Sequence, residues 1–272
     1  MTNDVCGAAR RFGGFWGLLL VLPVLLLGGC ALWRPVTVPI GTLQLPAACA
    51  PRPDTLLVML PGSWSRPEEF VEEGMVAAVR ERGIAADIVI VDAHVGYYSD
   101  RSIAVRLQED VIGPARARGY RQVWVLGISI GAFGALIHAE AQPGQVDGLV
   151  LLGPYLGQRI ATEELRAQGG LQRWRAPVGE LDRGDIDNIV WRWLQPYAGA
   201  AQTPTQRPAL YLGYGLDDRF RASDDLLAEA LPPAQVFKEA GGHDWAPWRA
   251  AWGRALDAIP LARDARCVVA AR

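Results

Sequence analysis

The sequence predicts an α/β fold with a mostly parallel central sheet and helices on both of its faces. Short runs rich in Val, Ile and Leu alternate along the chain with longer amphipathic stretches. The apolar runs lack strict alternation, which is typical of strands buried on both faces of a parallel sheet. A strand-then-helix order of this kind is characteristic of layered α/β domains. The length of 272 residues is consistent with one large domain.

The predicted strands and helices follow one another between residues 56 and 259. Six strands are expected over 56–60, 88–91, 123–128, 148–152, 209–213 and 235–238. Helices are expected over 67–82, 101–118, 132–141 and 246–259. Residues 53–272 therefore form the predicted folded domain. Residues 30–52 are rich in proline and are expected to be a tether that contributes at most one edge strand.

One segment, residues 155–206, interrupts the alternation. It contains Trp174, Trp191, Trp193 and many charges, but no convincing strand. About 50 residues are too many for a plain loop, which usually has fewer than about 15. The sequence therefore predicts a helical insertion, which is either a cap over a pocket or an ordinary helical excursion packed on the sheet.

Residues 1–29 have the features of an export signal. Two arginines at 10 and 11 precede an apolar run over 15–27, which is short for a membrane-spanning helix of about 20 residues. The run ends in Leu27-Gly28-Gly29-Cys30, which resembles the lipobox of bacterial lipoproteins. The resemblance implies cleavage before Cys30, a lipid on its sulfur, and a chain held on the periplasmic side of a bacterial membrane, with the outer membrane favoured. The alternative is an uncleaved N-terminal anchor.

Two further cysteines, Cys49 and Cys267, lie near the two ends of the predicted domain. An exported chain meets an oxidising compartment, so two otherwise unassigned cysteines are candidates for a disulfide. The alternative is a pair of unrelated thiols, because the sequence does not show whether their Cα atoms lie within bonding distance.

The composition excludes several classes of protein. Half of the residues are hydrophobic and 21% are charged, which excludes a disordered chain. A net charge of −2 and a pI near 6.0 argue against a nucleic-acid partner. No His or Cys cluster has metal-ligand spacing and no G-x-x-x-x-G-K-[ST] motif is present, so no metal or cofactor is expected.

A candidate nucleophile lies between a predicted strand and a predicted helix, in Gly127-Ile128-Ser129-Ile130-Gly131. In a nucleophile elbow, the serine occupies a strained strand-to-helix turn, and the flanking glycines allow close backbone packing. The N-terminus of the following helix favours negative charge near the serine. Ser129 is therefore the predicted nucleophile.

The chain has three histidines, so a general base can be sought by elimination. His138 lies nine residues along the helix from Ser129, about 13 Å away at 1.5 Å per residue. His94 follows a strand that precedes the nucleophile and fits a loop position better. His243 lies in a glycine-rich loop between the last strand and the last helix, where an imidazole is placed to take the proton of the serine.

The carboxylate that orients the base and the oxyanion donors complete the predicted site. Asp217 and Asp218 follow the strand over 209–213, and either of them is placed to orient the imidazole. Of the two N–H donors that an oxyanion needs, the residue after the nucleophile, Ile130, supplies one. The segment 60–64, which ends the first strong strand, is placed to supply the other.

With serine, aspartate and histidine in this chain order, the sequence resembles the α/β-hydrolase superfamily over about residues 54–260. The stretch Gly241-Gly242-His243-Asp244-Trp245 is similar to the C-terminal motif of a group of serine esterases in that superfamily. The resemblance implies an α/β-hydrolase fold and selects Asp218, because the acid of the family usually stands three residues after a glycine at the strand end. The family commonly has His-Gly where Pro61-Gly62 stands here, so the second donor stays open between Ser63 and Trp64.

The resemblance implies a membrane-anchored serine hydrolase that cleaves small or lipid-like carboxylic esters, with thioesters and amides as close rivals. Two alternatives belong to other classes. An acyltransferase would use the same serine and pass the acyl group to an acceptor other than water. A scaffold lipoprotein would keep the fold without turnover.

Overall fold

The computed structural model describes residues 34–47, 49, 53–199 and 207–268. From Val36 onward these residues belong to one compact unit. The predicted signal and lipidation residue Cys30 lie outside the described residues. Within the described part of the chain, no helix is both long enough and apolar enough to cross a membrane.

A seven-stranded sheet forms the centre of the domain, in the order β1-β3-β2-β4-β5-β6-β7. The strands are Thr42–Leu45 (β1), Thr55–Leu60 (β2), Ala86–Val91 (β3), Gln122–Ile128 (β4), Gly148–Leu152 (β5), Ala209–Gly215 (β6) and Val236–Glu239 (β7). Only the edge strand β1 is antiparallel to its neighbour β3, and the other pairings are parallel. The predicted mostly parallel sheet is therefore confirmed.

In the described residues, ten α-helical segments connect and cover the strands. They are Glu69–Glu72 (α1), Met75–Glu81 (α2), Val95–Ser99 (α3), Ile103–Arg106 (α4), Gly113–Ala117 (α5), Ile130–Ala141 (α6), Arg159–Ala167 (α7), Ile186–Leu194 (α8), Arg221–Ala230 (α9) and Trp245–Ala258 (α10). A π-helical turn, Leu107–Ile112, joins α4 to α5. The helix predicted over 67–82 is interrupted at Gly74, whose φ of 75° is outside the helical region.

The two faces of the sheet bury two separate hydrophobic clusters. Along β2, Leu56, Val58 and Leu60 pack into one cluster, whereas Leu57 and Met59 pack into the other. Because successive side chains of a strand point to opposite faces, this division shows that helices cover both faces of the sheet. Burial on both faces explains why the apolar runs in the sequence do not alternate with polar residues.

In its described residues the insertion contains the helices α7 and α8, joined by turns and irregular structure, and no strand. Its tryptophans Trp174, Trp191 and Trp193 are buried in the same cluster as Leu56. They therefore contribute to the hydrophobic core, as an excursion packed on the sheet would require. Helix α8 packs against α6, the helix that follows Ser129.

The two ends of the domain are joined. Cys49 and Cys267 form a disulfide with their Cα atoms 4.6 Å apart. The C-terminal segment is also held by backbone hydrogen bonds, since Asp264 N–H donates to Gly83 O at 2.7 Å and Ala85 N–H donates to Ala262 O at 2.9 Å. The chain that follows the last helix is thus fixed beside the strand β3.

Candidate active site

Ser129 occupies a tight turn between β4 and α6. Its φ of 54° and ψ of −117° are unusual, and Arg101 is the only other non-glycine residue in the described part of the chain with a positive φ. A Cβ atom at Gly127 would lie 2.4 Å from Ala132 N, and one at Gly131 would lie 2.3 Å from Leu60 O. Only glycine fits at both places, so the G-x-S-x-G spacing is a packing requirement of this turn.

The turn is anchored to the neighbouring strand. Ser129 N–H donates to Leu152 O at 2.9 Å, and Tyr155 N–H donates to Ser129 O at 3.1 Å. The backbone of the serine is therefore hydrogen-bonded on both sides of its Cα atom to residues 152–155, which begin at the last residue of β5. This segment, residues 152–155, is called the β5 end below.

His243 lies in the loop between β7 and α10 and connects the serine to a carboxylate. Its Nε2 is 3.0 Å from Ser129 Oγ, and its Nδ1 is 2.9 and 2.8 Å from Asp218 Oδ1 and Oδ2. A carboxylate only accepts, so Nδ1 carries a proton and donates it to Asp218. In the neutral ring Nε2 is then the acceptor for the serine hydroxyl, which is the arrangement that a general base needs.

The loop that carries His243 is fixed on the end of β6. Asp217 N–H donates to Gly241 O and Leu216 N–H donates to Glu239 O, both at 2.8 Å. The imidazole is also held by two rings that meet it edge-on, with centroids at 5.0 Å for Phe220 and 4.9 Å for Trp248. These contacts limit the rotation of the ring about its side-chain bonds.

The two adjacent aspartates have different environments. Asp218 is 5% exposed, and besides His243 its Oδ1 accepts the N–H of Phe220 at 2.8 Å. Asp217 is exposed to solvent. Of the two residues that the sequence offers, the structure brings Asp218 to His243.

The other histidines lie in different surroundings. His138 is 1% exposed in α6, with Nε2 3.0 Å from Gln108 Oε1, and burial lowers its pKa from 6.5 to about 4. His94 caps α3 by accepting the N–H of Gly96 at Nδ1, at 3.2 Å. Of the three histidines, the structure brings His243 to Ser129 Oγ.

The proposed oxyanion donors come from the start of α6 and from the segment after β2, and both of these segments adjoin Ser129. Ile130 is the first residue of α6, so its N–H has no acceptor within the helix. The segment after β2 lies against the serine, since a Cβ atom at Gly62 would be 3.7 Å from Ser129 Cβ. Ser63 is half-buried, whereas the side chain of Trp64 is 80% exposed. Ser63 and Trp64 come directly after Gly62 in the chain. Which of their two N–H groups is the second donor stays a prediction.

A second carboxyl group near the site was missed in the sequence. Asp224, in the first turn of α9, is fully buried, and its pKa is raised well above the ordinary value by burial and by the nearby Asp218 and Asp225. Neither of its oxygens has a hydrogen-bond partner within the described residues. In the sequence Asp224 stands next to Asp225, and no motif or spacing marks it.

Comparison with known proteins bears on the fold. No protein-family model and no curated protein matches the chain. S-formylglutathione hydrolase from Staphylococcus aureus is similar over 77% of this chain and 82% of its own, with 16% identity and a TM-score of 0.51. A fluorophosphonate-binding serine hydrolase of the same organism is similar over 83% and 95% of the two chains, also with 16% identity and a TM-score of 0.51. With its seven-stranded sheet and strand-to-helix serine turn, the chain has an α/β-hydrolase fold.

Proposed function

We propose that the protein is a serine hydrolase that cleaves carboxylic esters through an acyl-enzyme. The observation that carries this proposal is the continuous set of hydrogen bonds from Ser129 Oγ through His243 to Asp218, with donor–acceptor distances between 2.8 and 3.0 Å. Nucleophile, base and orienting acid within hydrogen-bond distance are the arrangement that activates a serine.

The reaction follows from this arrangement. Ser129 Oγ attacks the acyl carbonyl carbon while its proton passes to His243 Nε2, and the carbonyl oxygen becomes an oxyanion. The N–H of Ile130 and that of Ser63 or Trp64 stabilise the oxyanion. When the carbon–oxygen bond breaks, the imidazolium returns its proton to the leaving alkoxide. Water then repeats these steps on the acyl-enzyme, which releases the acid and restores the serine.

Asp218 keeps the base in the productive form. Its carboxylate holds the proton of the imidazole on Nδ1, so that Nε2 faces the serine, and it stabilises the imidazolium that forms during each step. The burial of the carboxylate strengthens this interaction, because the local dielectric constant is lower than that of water.

A small or lipid-like ester is the proposed substrate class. Aromatic rings lie around the serine and histidine, with Tyr155 between Phe133 and Phe220 at centroid distances of 5.3 and 5.5 Å. Apolar rings of this kind suit an apolar acyl or alcohol group. A thioester is the nearest rival, and one similar structure is an S-formylglutathione hydrolase. No cofactor and no metal is part of this mechanism.

The lipobox-like sequence supports a position on the periplasmic side of a bacterial membrane. A diacylglycerol with a further acyl chain on Cys30 would hold the protein stably, whereas one chain would not. Cys30→Ala in the full chain should therefore move the protein from the membrane fraction to the soluble fraction. Membrane association that persists in this variant would support an uncleaved anchor.

A fluorophosphonate probe tests the proposed activity. We expect covalent labelling of the folded wild-type chain, loss of labelling in Ser129→Ala, and unchanged labelling in Ser99→Ala, which alters an exposed serine on α3. Hydrolysis of a short p-nitrophenyl ester should follow the same pattern. An unlabelled, folded wild type would favour a scaffold, whereas labelling with acyl transfer to an added alcohol in preference to water would favour an acyltransferase.

A further inference from the structure

We infer that Gly153 is a positioning residue for the Asp218–His243 pair, because the absence of a side chain at position 153 leaves the space in which the carboxylate and the imidazole meet. The inference rests on the proposed function, which gives that pair its role. Gly153 follows the last residue of β5, one strand away from β4 and its serine turn.

Three functional groups converge on the position of the missing side chain. A Cβ atom at Gly153 would lie 2.8 Å from Asp218 Oδ2, 3.2 Å from His243 Nδ1 and 2.7 Å from Trp248 Nε1. All three distances are shorter than ordinary van der Waals contact, and the two shortest, to Trp248 Nε1 and Asp218 Oδ2, cannot be kept without a shift of these groups or of the backbone. A methyl group here would therefore compete with the carboxylate for the place that brings it to the imidazole.

The surroundings leave little freedom for an accommodating shift. Asp218 is buried and accepts the N–H of Phe220, and the indole of Trp248 is buried and packs perpendicular to the His243 ring. The indole N–H of Trp248 has no hydrogen-bond partner within the described residues. The Gly153 backbone is itself fixed, because its N–H donates to Gly213 O at 2.8 Å.

The same segment also fixes the nucleophile. Residues 152 and 155 of the β5 end are hydrogen-bonded to the backbone of Ser129, at 2.9 and 3.1 Å. One short turn therefore holds the serine on one side and shapes the space for the acid–base pair on the other. We assign to the β5 end the role of setting the serine and the Asp218–His243 pair relative to each other.

The first test compares Gly153→Ala with Gly144→Ala, both in the full chain. Both glycines have a positive φ, 47° at Gly153 and 77° at Gly144, so both variants strain the backbone. At Gly144, however, a Cβ atom meets nothing within 4 Å. We expect kcat for a p-nitrophenyl ester to fall about 100-fold in Gly153→Ala with KM little changed, because a displacement near 1 Å has this effect. Gly144→Ala should keep the wild-type kcat.

A double-mutant cycle with Asp218→Ala separates positioning from general damage. If Gly153→Ala acts through the carboxylate, it should lower kcat by less than about threefold once the carboxylate is gone. The melting temperature should show the same coupling, with a smaller loss from Gly153→Ala in the Asp218→Ala background, where the close contact with Asp218 Oδ2 is gone and those with Trp248 and His243 remain. If Gly153→Ala alone does not fold, the double variant should still fold.

Several outcomes would overturn the inference. One is a kcat of Gly153→Ala within about threefold of that of Gly144→Ala. Another is that the activity losses of Gly153→Ala and Asp218→Ala add up in the double variant. A third is that Gly153→Ala lowers the melting temperature equally in the wild-type and Asp218→Ala backgrounds. An inactive wild type would instead overturn the proposed function. The melting temperatures of the cycle would then still decide whether Gly153 and Asp218 compete for the same space.

Discussion

The Nδ1 atom of His243 lies 2.8 Å from Asp218 Oδ2, and the Asp218 side chain is completely enclosed by protein. A hydrogen bond between an imidazole and a carboxylate is charge-assisted once the ring takes up a proton, and enclosure makes it stronger than the same contact in water. The contact joins a loop after β7 to a turn after β6, so it depends on the register of these two strands.

The amide variant of Asp218 should separate the two adjacent aspartates. Asp218→Asn removes the acceptor that fixes the Nδ1 proton, and we expect kcat to fall by up to about 10⁴-fold through the wrong tautomer. Asp217→Asn is the matched control at an exposed position, where a substitution changes stability by no more than about 0.5 kcal/mol. Steady-state kinetics with a p-nitrophenyl ester measures both, and equal losses would mean that another residue orients the base.

Burial of His138 should make the protein less stable in mild acid. Because the pKa of His138 is about 4 in the folded state and ordinarily 6.5, the unfolded chain binds more protons between these values. The stability gained at neutral pH is therefore lost as the pH falls below about 6.5, by about 2 kcal/mol between pH 7 and pH 5. Urea unfolding of the wild type and of His138→Gln at both pH values should show this loss only in the wild type.

Asp224 should have the opposite effect on stability. Its folded-state pKa is raised, so the folded state binds the proton more tightly, and stability is lost as the pH rises through that folded-state value. Asp224→Asn keeps the shape of the neutral acid and cannot ionise. We expect its melting temperature to exceed that of the wild type by more at pH 8 than at pH 5, and Asp225→Asn, which changes the adjacent residue, should not reproduce that increase. A difference that is independent of pH would contradict a protonated Asp224 in the folded state.

Removal of the disulfide should destabilise the domain without changing the site. Cys49 and Cys267 are 218 residues apart in sequence, and loss of a native disulfide typically costs about 2–5 kcal/mol. Cys49→Ala/Cys267→Ala should therefore unfold at a lower denaturant concentration, with kcat unchanged at 25 °C. A reductant should lower the stability of the wild type and leave the double variant unaffected. Two free thiols in the oxidised wild-type protein would contradict the bond.

Much of the fold could be predicted because local pattern and burial agree in a parallel sheet. Six strands were expected from apolar runs without alternation, and both faces of β2 are indeed buried. The boundaries were less well predicted where backbone geometry interrupts a periodic pattern. Examples are the break between α1 and α2 at Gly74 and the π-helical turn after Arg106.

Ser129 and His243 could be selected as candidates from the sequence alone, because a strand-to-helix glycine turn and a set of only three histidines left few choices. The pairing of Asp218 with His243, the burial of Asp224 and the crowding at Gly153 depend on tertiary structure. The Asp218–His243 pair and the crowding at Gly153 each join residues from different strand ends, and no local pattern encodes the distance between two strand ends. The sequence determined which chemical groups the chain carries, and the register and packing of β4 to β7 decided which of them meet.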